Sequence, residues 1–392
     1  MKNIVGQIAS KEDFYMRPKE IRRIKINLEA GANIQIAAPR RVGKSSILYF
    51  FLDNPQDGFI HLYFQVESAR SKNEFYRKLY KEIIKSDAVG IGKKFFEQLK
   101  SAGNAFLGRL KGVKIAGSGL DFHDADEIDY EEELLNLLLG LDLGKDKLVL
   151  MVDEFPEVIL NIVEDGHGDI VEAKKFLQSN RELRNHAKLS HKVQFIYTGS
   201  NSLNLTVGNL DSSSLINDLT AIPVNPLNDT ESKDLIKSVL STYKYEISDE
   251  KLQYIISKAE WTIPFYFQLV IHEIINDIEP TDEITEAVID KAFETALEQR
   301  NDHHFEHYVK RLKRIFNDQE REFIQKFLCQ LANQSALTKD EAINLANGIL
   351  TEDQTKRLLE SLKYDGYIIN QSDTTYKFNS PILKNWWKKH EC

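Results

Sequence analysis

The first residues in this chain whose types and order suggest chemistry are Gly43-Lys44-Ser45. An alternating segment, Asn33-Ile34-Gln35-Ile36-Ala37, runs straight into Ala38-Pro39-Arg40-Arg41-Val42-Gly43-Lys44-Ser45-Ser46, and an apolar helical run, Ile47 to Leu52, follows at once. A strand, a loop and a helix N-terminus in that order converge backbone N–H groups and the partial positive charge of the helix on phosphate oxygens. Lys44 is expected to reach the β- and γ-phosphates of a nucleoside triphosphate, Ser45 to ligate Mg2+, and Gly43 to let the backbone pass close to the anion. Pro39, Arg40, Arg41, Val42 and Ser46 complete the phosphate-contacting set. Ala38 stands where the first glycine of G-x-x-x-x-G-K-[ST] is usual, a position where a small residue still leaves room. By itself Gly-Lys-Ser recurs by chance in roughly one chain in five of this length, so its specificity comes from the flanking elements.

Further along, the apolar run Leu148-Val149-Leu150-Met151-Val152 ends in Asp153-Glu154. In an open parallel sheet such an acidic pair emerges at the carboxyl end of a buried strand, the edge where phosphate loops also lie. Asp153 is expected to hold the water shell of Mg2+, and Glu154 to orient or deprotonate an attacking water. The plain alternative for either motif alone is a turn beside a buried strand. The two together, in this order and about a hundred residues apart, weigh against it. A third element, Thr198-Gly199-Ser200-Asn201-Ser202, closes the strand Lys192 to Tyr197. Thr198 there is placed to sense the γ-phosphate or the attacking water, and without its two neighbours the segment would be a simple polar turn. An arginine aimed at the γ-phosphate, from the same chain or a neighbour, accelerates hydrolysis. Arg40 and Arg41 lie in the loop, Arg181 and Arg184 on the helix before the Thr198 strand; Arg184 is the preferred finger supplied by a neighbouring subunit, against the common alternative of a solvated helix arginine.

These residues need an α/β scaffold to position them. Strands read at Asn33–Ala37, Gly58–Val66, Lys147–Val152, Lys192–Tyr197 and Thr220–Val224, with helices at 71–85, 93–110 and 130–141 and a glycine-rich hairpin at 111–123. Continuous apolar strands separated by helices indicate a parallel sheet covered on both faces, a P-loop NTPase core. Past Pro226 the pattern turns to helices alone: 229–243, 248–259, 263–278 and 285–300. From Asp318 the order is helices 318–333, 338–347 and 352–364, then strands 367–370 and 375–378, which is the winged-helix order. Thr351 with Gln354 forms a capping-box signature for the third helix, and Gly366 lies just past its end. Three domains are therefore expected: an ATPase core at 1–226, with inserted helices and hairpin at about 87–128; a helical lid at 227–304; and a winged helix at 305–392.

With these motifs in place the chain resembles the archaeal-type ATPases of the AAA+ and STAND group of P-loop NTPases. The resemblance is carried by Phe14-Tyr15-Met16-Arg17-Pro18-Lys19-Glu20, by the Walker A segment Ala38 to Ser45, by the Walker B segment Leu150 to Phe155, by Tyr197 to Ser200 and by Pro264; Asn379 to Leu383 with Trp386-Trp387 resembles the close of that family's winged helix. It implies ATP and Mg2+ as cofactors, with nucleotide state controlling how core, lid and winged helix pack, and adenine-side contacts at the N-terminal segment and at Pro264. Met16 and Thr262 depart from glycines usual in the pattern.

Charge and composition limit the remaining possibilities. The chain of 392 residues carries 51 Lys plus Arg against 60 Asp plus Glu, net −9, which excludes bulk coating of nucleic acid and leaves only a local patch. Residues 305–392 hold 14 Lys plus Arg against 12 Asp plus Glu, a slight basic excess with the sign a DNA-contacting winged helix needs, but the helix 352–364 mixes Lys356, Arg357 and Lys363 with Asp353 and Glu360. Two functions stay open: an ATP-hydrolysing switch with signalling or defence output and nucleotide-dependent homo-oligomer assembly or a protein partner, and a DNA-associated ATPase. The run Lys310-Arg311-Lys313-Arg314 reads equally as a phosphate track or a basic helix face. His303, His304 and His307 lack companion metal ligands, and Trp386 and Trp387 are expected to lock the terminal helix onto the wing. Two cysteines, no apolar run of about 18 residues and no signal-like N-terminus suggest a cytoplasmic protein with free thiols.

Overall fold

A computed structural model describes residues 1–86, 113–116, 119–122, 128–166, 168, 170–200 and 202–392. The expected helix at 93–110 lies outside the described residues. The chain forms two compact units that interleave in sequence: Arg17–Ala37 with Ile47–Pro223, and Met1–Met16 with Ala38–Ser46 and Val224–Cys392.

The first unit contains α1 (Pro18–Glu29), β1 (Asn33–Ala37), most of α2 (Lys44–Asp53), β2 (Phe59–Gln65), α3 (Lys72–Lys85), β3 (Val113–Ala116), β4 (Gly119–Phe122), α4 (Tyr130–Gly140), β5 (Lys147–Asp153), α5 (Phe155–Asp165), α6 (Val171–Arg184), β6 (Val193–Tyr197), α7 (Leu203–Gly208) and β7 (Leu219–Pro223). Five strands make one parallel sheet in the order β2-β5-β6-β1-β7, and β3 with β4 forms the expected antiparallel hairpin. All of β6 and all but the first residue of β5 are buried, which is why their sequences run apolar without alternation. The core on one face joins Phe75, Phe155, Phe176 and Tyr197, with the Phe155 and Tyr197 ring centroids 4.5 Å apart. Register Gln65↔Asp153 and Met151↔Ile196 brings the carboxyl ends of β2, β5 and β6 level, so that residues just past them share one edge.

The second unit holds α8 (Asp229–Thr242), α9 (Asp249–Ala259), α10 (Pro264–Asp277), α11 (Glu286–Thr295), α12 (Glu306–Ile315), α13 (Asp318–Asn333), β8 (Leu337–Thr338), α14 (Lys339–Ala346), α15 (Glu352–Tyr364), β9 (Ile368–Ser372), β10 (Thr375–Phe378) and α16 (Pro381–His390). The helix expected at 285–300 stops at Thr295, because the Asn301 amide takes the Thr295 carbonyl (3.1 Å) and a 3-10 turn, Gln299–His304, replaces the last turns. Thr351 caps α15 through its box with Gln354. Past the end of α15, Gly366 has φ +80, and a Cβ there would lie 2.4 Å from the Trp261 ring, so the turn tolerates no side chain. β8, β10 and β9 form an antiparallel sheet, and α16 returns over α13 and β10. Trp387 is fully buried edge-on to Tyr367, whereas Trp386 turns to Phe305 and donates to Asp302 Oδ1 (2.8 Å).

The expectation of free thiols is corrected. α16 against α13 brings the last residue beside the middle of α13, and Cys329 and Cys392 form a disulfide across a Cα separation of 5.4 Å. The cysteine count therefore gives no argument for a reducing compartment. Among the described residues no helix is long and apolar enough to cross a membrane.

A buried histidine in β2 gives the first testable consequence. The His61 ring stacks on Phe51 (5.3 Å), and both ring nitrogens lack a hydrogen-bond partner among the described residues. Burial, with the charge of Lys25, lowers its pKa from 6.5 to about 4. The unfolded chain then binds a proton between those values that the folded chain refuses, so stability falls as pH drops from 6.5 towards 4, by up to about 3 kcal/mol. His61→Phe is expected to flatten that part of the acid limb in urea unfolding measured at several pH values; an unchanged limb would contradict it.

Candidate functional site

The phosphate loop lies in the second unit. Lys44 opens α2, is only 7% exposed, and its Nζ donates to Ala38 O (3.0 Å) and Pro39 O (2.8 Å). An ammonium buried this far needs such acceptors to stay charged. The loop closes around it with Arg41 at φ +67 and Gly43 at φ +98, left-handed conformations that cost a non-glycine residue free energy. Val42 is buried, and Ser46 Oγ accepts from Ala9 N (3.1 Å), tying the N-terminal segment to the loop. That segment also reaches the lid helices, through Asn3 Nδ2 to Gln268 O (2.9 Å) and Tyr15 OH to Asp234 (3.2 Å).

Arg41, expected among the phosphate contacts, has its guanidinium carbon 3.8 Å from the ring centre of Phe265, the residue after Pro264 at the start of α10. Burial lowers its pKa to about 10, partly offset by Tyr308. Loop and lid thus meet at Arg41, and Pro264 sets the N-terminal turn of the helix that receives it.

The acidic pair and Thr198 lie in the first unit, at the carboxyl ends of β5 and β6. Thr198 N donates to Val152 O (3.0 Å) and Phe155 N to Thr198 O (3.0 Å), fixing the two turns side by side. Asp153 Oδ1 accepts from Glu154 N (3.1 Å) and Oδ2 from Tyr63 OH (3.0 Å). Burial and the neighbouring Asp153 push the Tyr63 phenol well above its usual range, so it remains a donor. Glu154 stands at φ +60, and its Oε2 accepts from both Ser200 N (2.8 Å) and Ser200 Oγ (2.9 Å). A strained non-glycine residue whose carboxylate is held by two donors is a typical functional-site device. Thr198 is 3% exposed and its hydroxyl has no hydrogen-bond partner among the described residues. Such an orphan donor suits a site that takes an anion or an ordered water. The donor types also fit the group expected here: hydroxyl and carboxylate oxygens for Mg2+, and a lysine with loop amides for phosphates.

Two positioning residues, Tyr63 and Ser200, were not singled out by sequence reasoning. Ser200 sits in the Thr198 motif; Tyr63 left no signal beyond an aromatic in an alternating strand. Among the described residues no group of three or more His, Cys, Asp or Glu is placed to hold a metal ion.

Arg184 is a correction. Its side chain is 0% exposed and forms a two-pronged pair with Asp218 (2.8 Å to each oxygen), with further bonds to Asn180 Oδ1 (2.5 Å) and Leu215 O (2.9 Å). A guanidinium enclosed in this way anchors the end of α6 to the segment before β7 and is not offered to a neighbouring subunit. Arg184→Ala is expected to lower unfolding free energy by about 3–5 kcal/mol in denaturant titration, since it strands Asp218. Unchanged stability with lost turnover would instead restore the finger assignment.

No protein-family model matches the chain, and no curated protein matches it in sequence. Among solved structures it is similar to a Walker-type ATPase of Pyrococcus abyssi, with a TM-score of 0.65 and 17% identity over 98% of this chain and 99% of that one. It is also similar to the ORC2 protein of Aeropyrum pernix, solved in ADPNP and ADP complexes, with a TM-score of 0.54 and 12% identity over 99% of this chain and 95% of that one. The chain therefore shares the fold of these two proteins along its length, around a five-stranded parallel sheet.

Proposed function

We propose that the chain is a Mg2+-dependent ATP-binding and ATP-hydrolysing switch that couples nucleotide state to domain packing. The observation that supports this reading is the order of the motifs along the sheet: the Lys44 loop follows β1 in sequence, and Asp153-Glu154 and Thr198 follow the adjacent parallel strands β5 and β6. Bound ATP with Mg2+ would supply the transferable phosphoryl group and its charge neutralisation. Lys44, Gly43 and the loop residues Pro39 to Val42 and Ser46 bind the phosphates; Ser45 and Asp153 hold the ion, with Tyr63 orienting Asp153. Glu154 orients the attacking water and accepts its proton, and Ser200 fixes which carboxylate oxygen stays available. Thr198 donates its free hydroxyl to phosphate or water. Pro264 and the N-terminal segment flank the nucleoside side.

In this reading residues 1–226 act as core, 227–304 as lid and 305–392 as winged helix, in the cytoplasm, with a signalling or defence output through a homo-oligomer or protein partner. A DNA-bound role has less support. Lys356 and Lys363 of α15 are paired with Glu352 and Glu360, and Lys377 of the hairpin with Glu260. Cations already neutralised release fewer counter-ions from DNA. Duplex retention by the full chain that weakens steeply with salt would favour the DNA role; the switch reading expects none at moderate salt.

Lys44→Ala is expected to weaken ATP binding by on the order of a hundredfold, since it removes the phosphate cation. Glu154→Gln should retain ATP affinity and lose on the order of a hundredfold in turnover. Calorimetry and phosphate-release assays read the two separately. Wild-type turnover by Glu154→Gln would remove the catalytic assignment.

A further inference from the structure

The disulfide lies where the C-terminal helix meets two other parts of the second unit, and its surroundings suit a bond that opens and closes. Most of α16 is held without it: Ile382, Leu383, Trp386 and Trp387 are buried, and Lys384 Nζ donates to Gln334 O (2.8 Å) just past α13. No residue after Trp387 is buried. In that last turn Lys389 Nζ donates to Leu297 O (3.0 Å), and His390 Nε2 lies 3.3 Å from Asp302 Oδ1, the oxygen that also accepts the Trp386 indole N–H. Leu297 and Asp302 belong to the stretch between α11 and α12, so the end of α16 bridges that stretch to α13. The Cys329–Cys392 bond fastens the bridge at its α13 end, across 63 positions of sequence.

Cys392 is exposed and Cys329 half-buried, so an external thiolate reaches the Cys392 sulfur first and expels Cys329. Gln325 Nε2, one turn before Cys329, stands 3.5 Å from its Sγ and donates to Glu391 O (2.5 Å). An amide donor there stabilises Cys329 as the leaving thiolate. Once protonated, Cys329 has the Glu391 carbonyl as an acceptor, 3.4 Å from Sγ. The buried tryptophans keep α16 docked after reduction, so the two thiols stay at high effective concentration and the bond re-forms. We propose that Cys329–Cys392 is a reversible redox lock, opened by a dithiol reductant, that sets how firmly the end of α16 holds residues 297–302. The first thiolate of the dithiol bonds to the Cys392 sulfur as the S–S bond breaks, and the electron pair leaves with Cys329, which takes a proton. The second thiolate then displaces Cys392, which takes the other proton, so the dithiol is oxidised to its own disulfide and the chain gains two thiols. The inference stands apart from the nucleotide reading.

The test follows the full chain by thiol counting and by amide hydrogen exchange, in oxidised glutathione, then in dithiothreitol without denaturant, then in oxidised glutathione again. The oxidised chain is expected to show no free thiol. Dithiothreitol is expected to release both and to quicken exchange about tenfold at 388–392 and 297–302, while 323–328 in α13 stay protected; re-oxidation restores both readings. Cys392→Ser is expected to exchange like the reduced wild type and to ignore both reagents. Two thiols persisting in oxidised glutathione, a bond that resists dithiothreitol, or unchanged exchange on reduction would each overturn the proposal. So would loss of protection throughout the chain on reduction, or a Cys392→Ser chain that fails to fold, since the bond would then be a structural brace. A response of folded Cys392→Ser to dithiothreitol would also overturn it.

Discussion

The rest of the structure depends on keeping the ammonium of Lys44 charged where little water reaches it. Carbonyls of Ala38 and Pro39 accept its hydrogen bonds, so the loop must curl back over its own side chain, and the left-handed backbone at Arg41 and Gly43 makes that curl. Once the loop has this shape, Arg41 points out to the Phe265 ring and Pro39 presents its ring to Gly366. The helix at Phe265 and the turn at Gly366 therefore meet the loop at Arg41 and Pro39.

A complementary constraint governs the acidic half. Two carboxylates at adjacent positions repel unless each is held by donors, and each is: Asp153 by Tyr63 and the Glu154 amide, Glu154 by Ser200. The left-handed backbone at Glu154 turns its side chain to the β6 turn and away from that of Asp153. The Thr198 hydroxyl, without a hydrogen-bond partner among the described residues, follows β6 directly. Strand register places these donors, which explains why β5 and β6 are buried nearly throughout.

Much of this was legible in the sequence where a local signal exists. The strand before Lys44 was legible from alternation, the strand before Asp153 from its apolar run, and α15 from its cap at Thr351 with Gln354; the caps of α3 at Ser71 and α8 at Asn228 emerge only in the structure. α5 was missed because it begins one residue after β5, with only Asp153-Glu154 between the two apolar runs and no loop to mark a new element. Long-range pairing left no trace: Arg184 finds Asp218 34 positions away, Arg311 finds Asp365 across 54, and Cys329 finds Cys392 across 63. Arg311 was noticed only as part of a basic run. Its neighbours Lys313 and Arg314 do face outward, and period 3.6 places Arg311 alone on the buried side with Leu312.

The central claim is that the Lys44 loop binds nucleotide. Amide hydrogen exchange of the full chain, with and without saturating ATP and Mg2+, tests it directly. The account predicts slowed exchange across residues 38–46. Unchanged exchange at 38–46 under saturating nucleotide, or protection confined to residues outside the loop and the Asp153 and Thr198 turns, would contradict it.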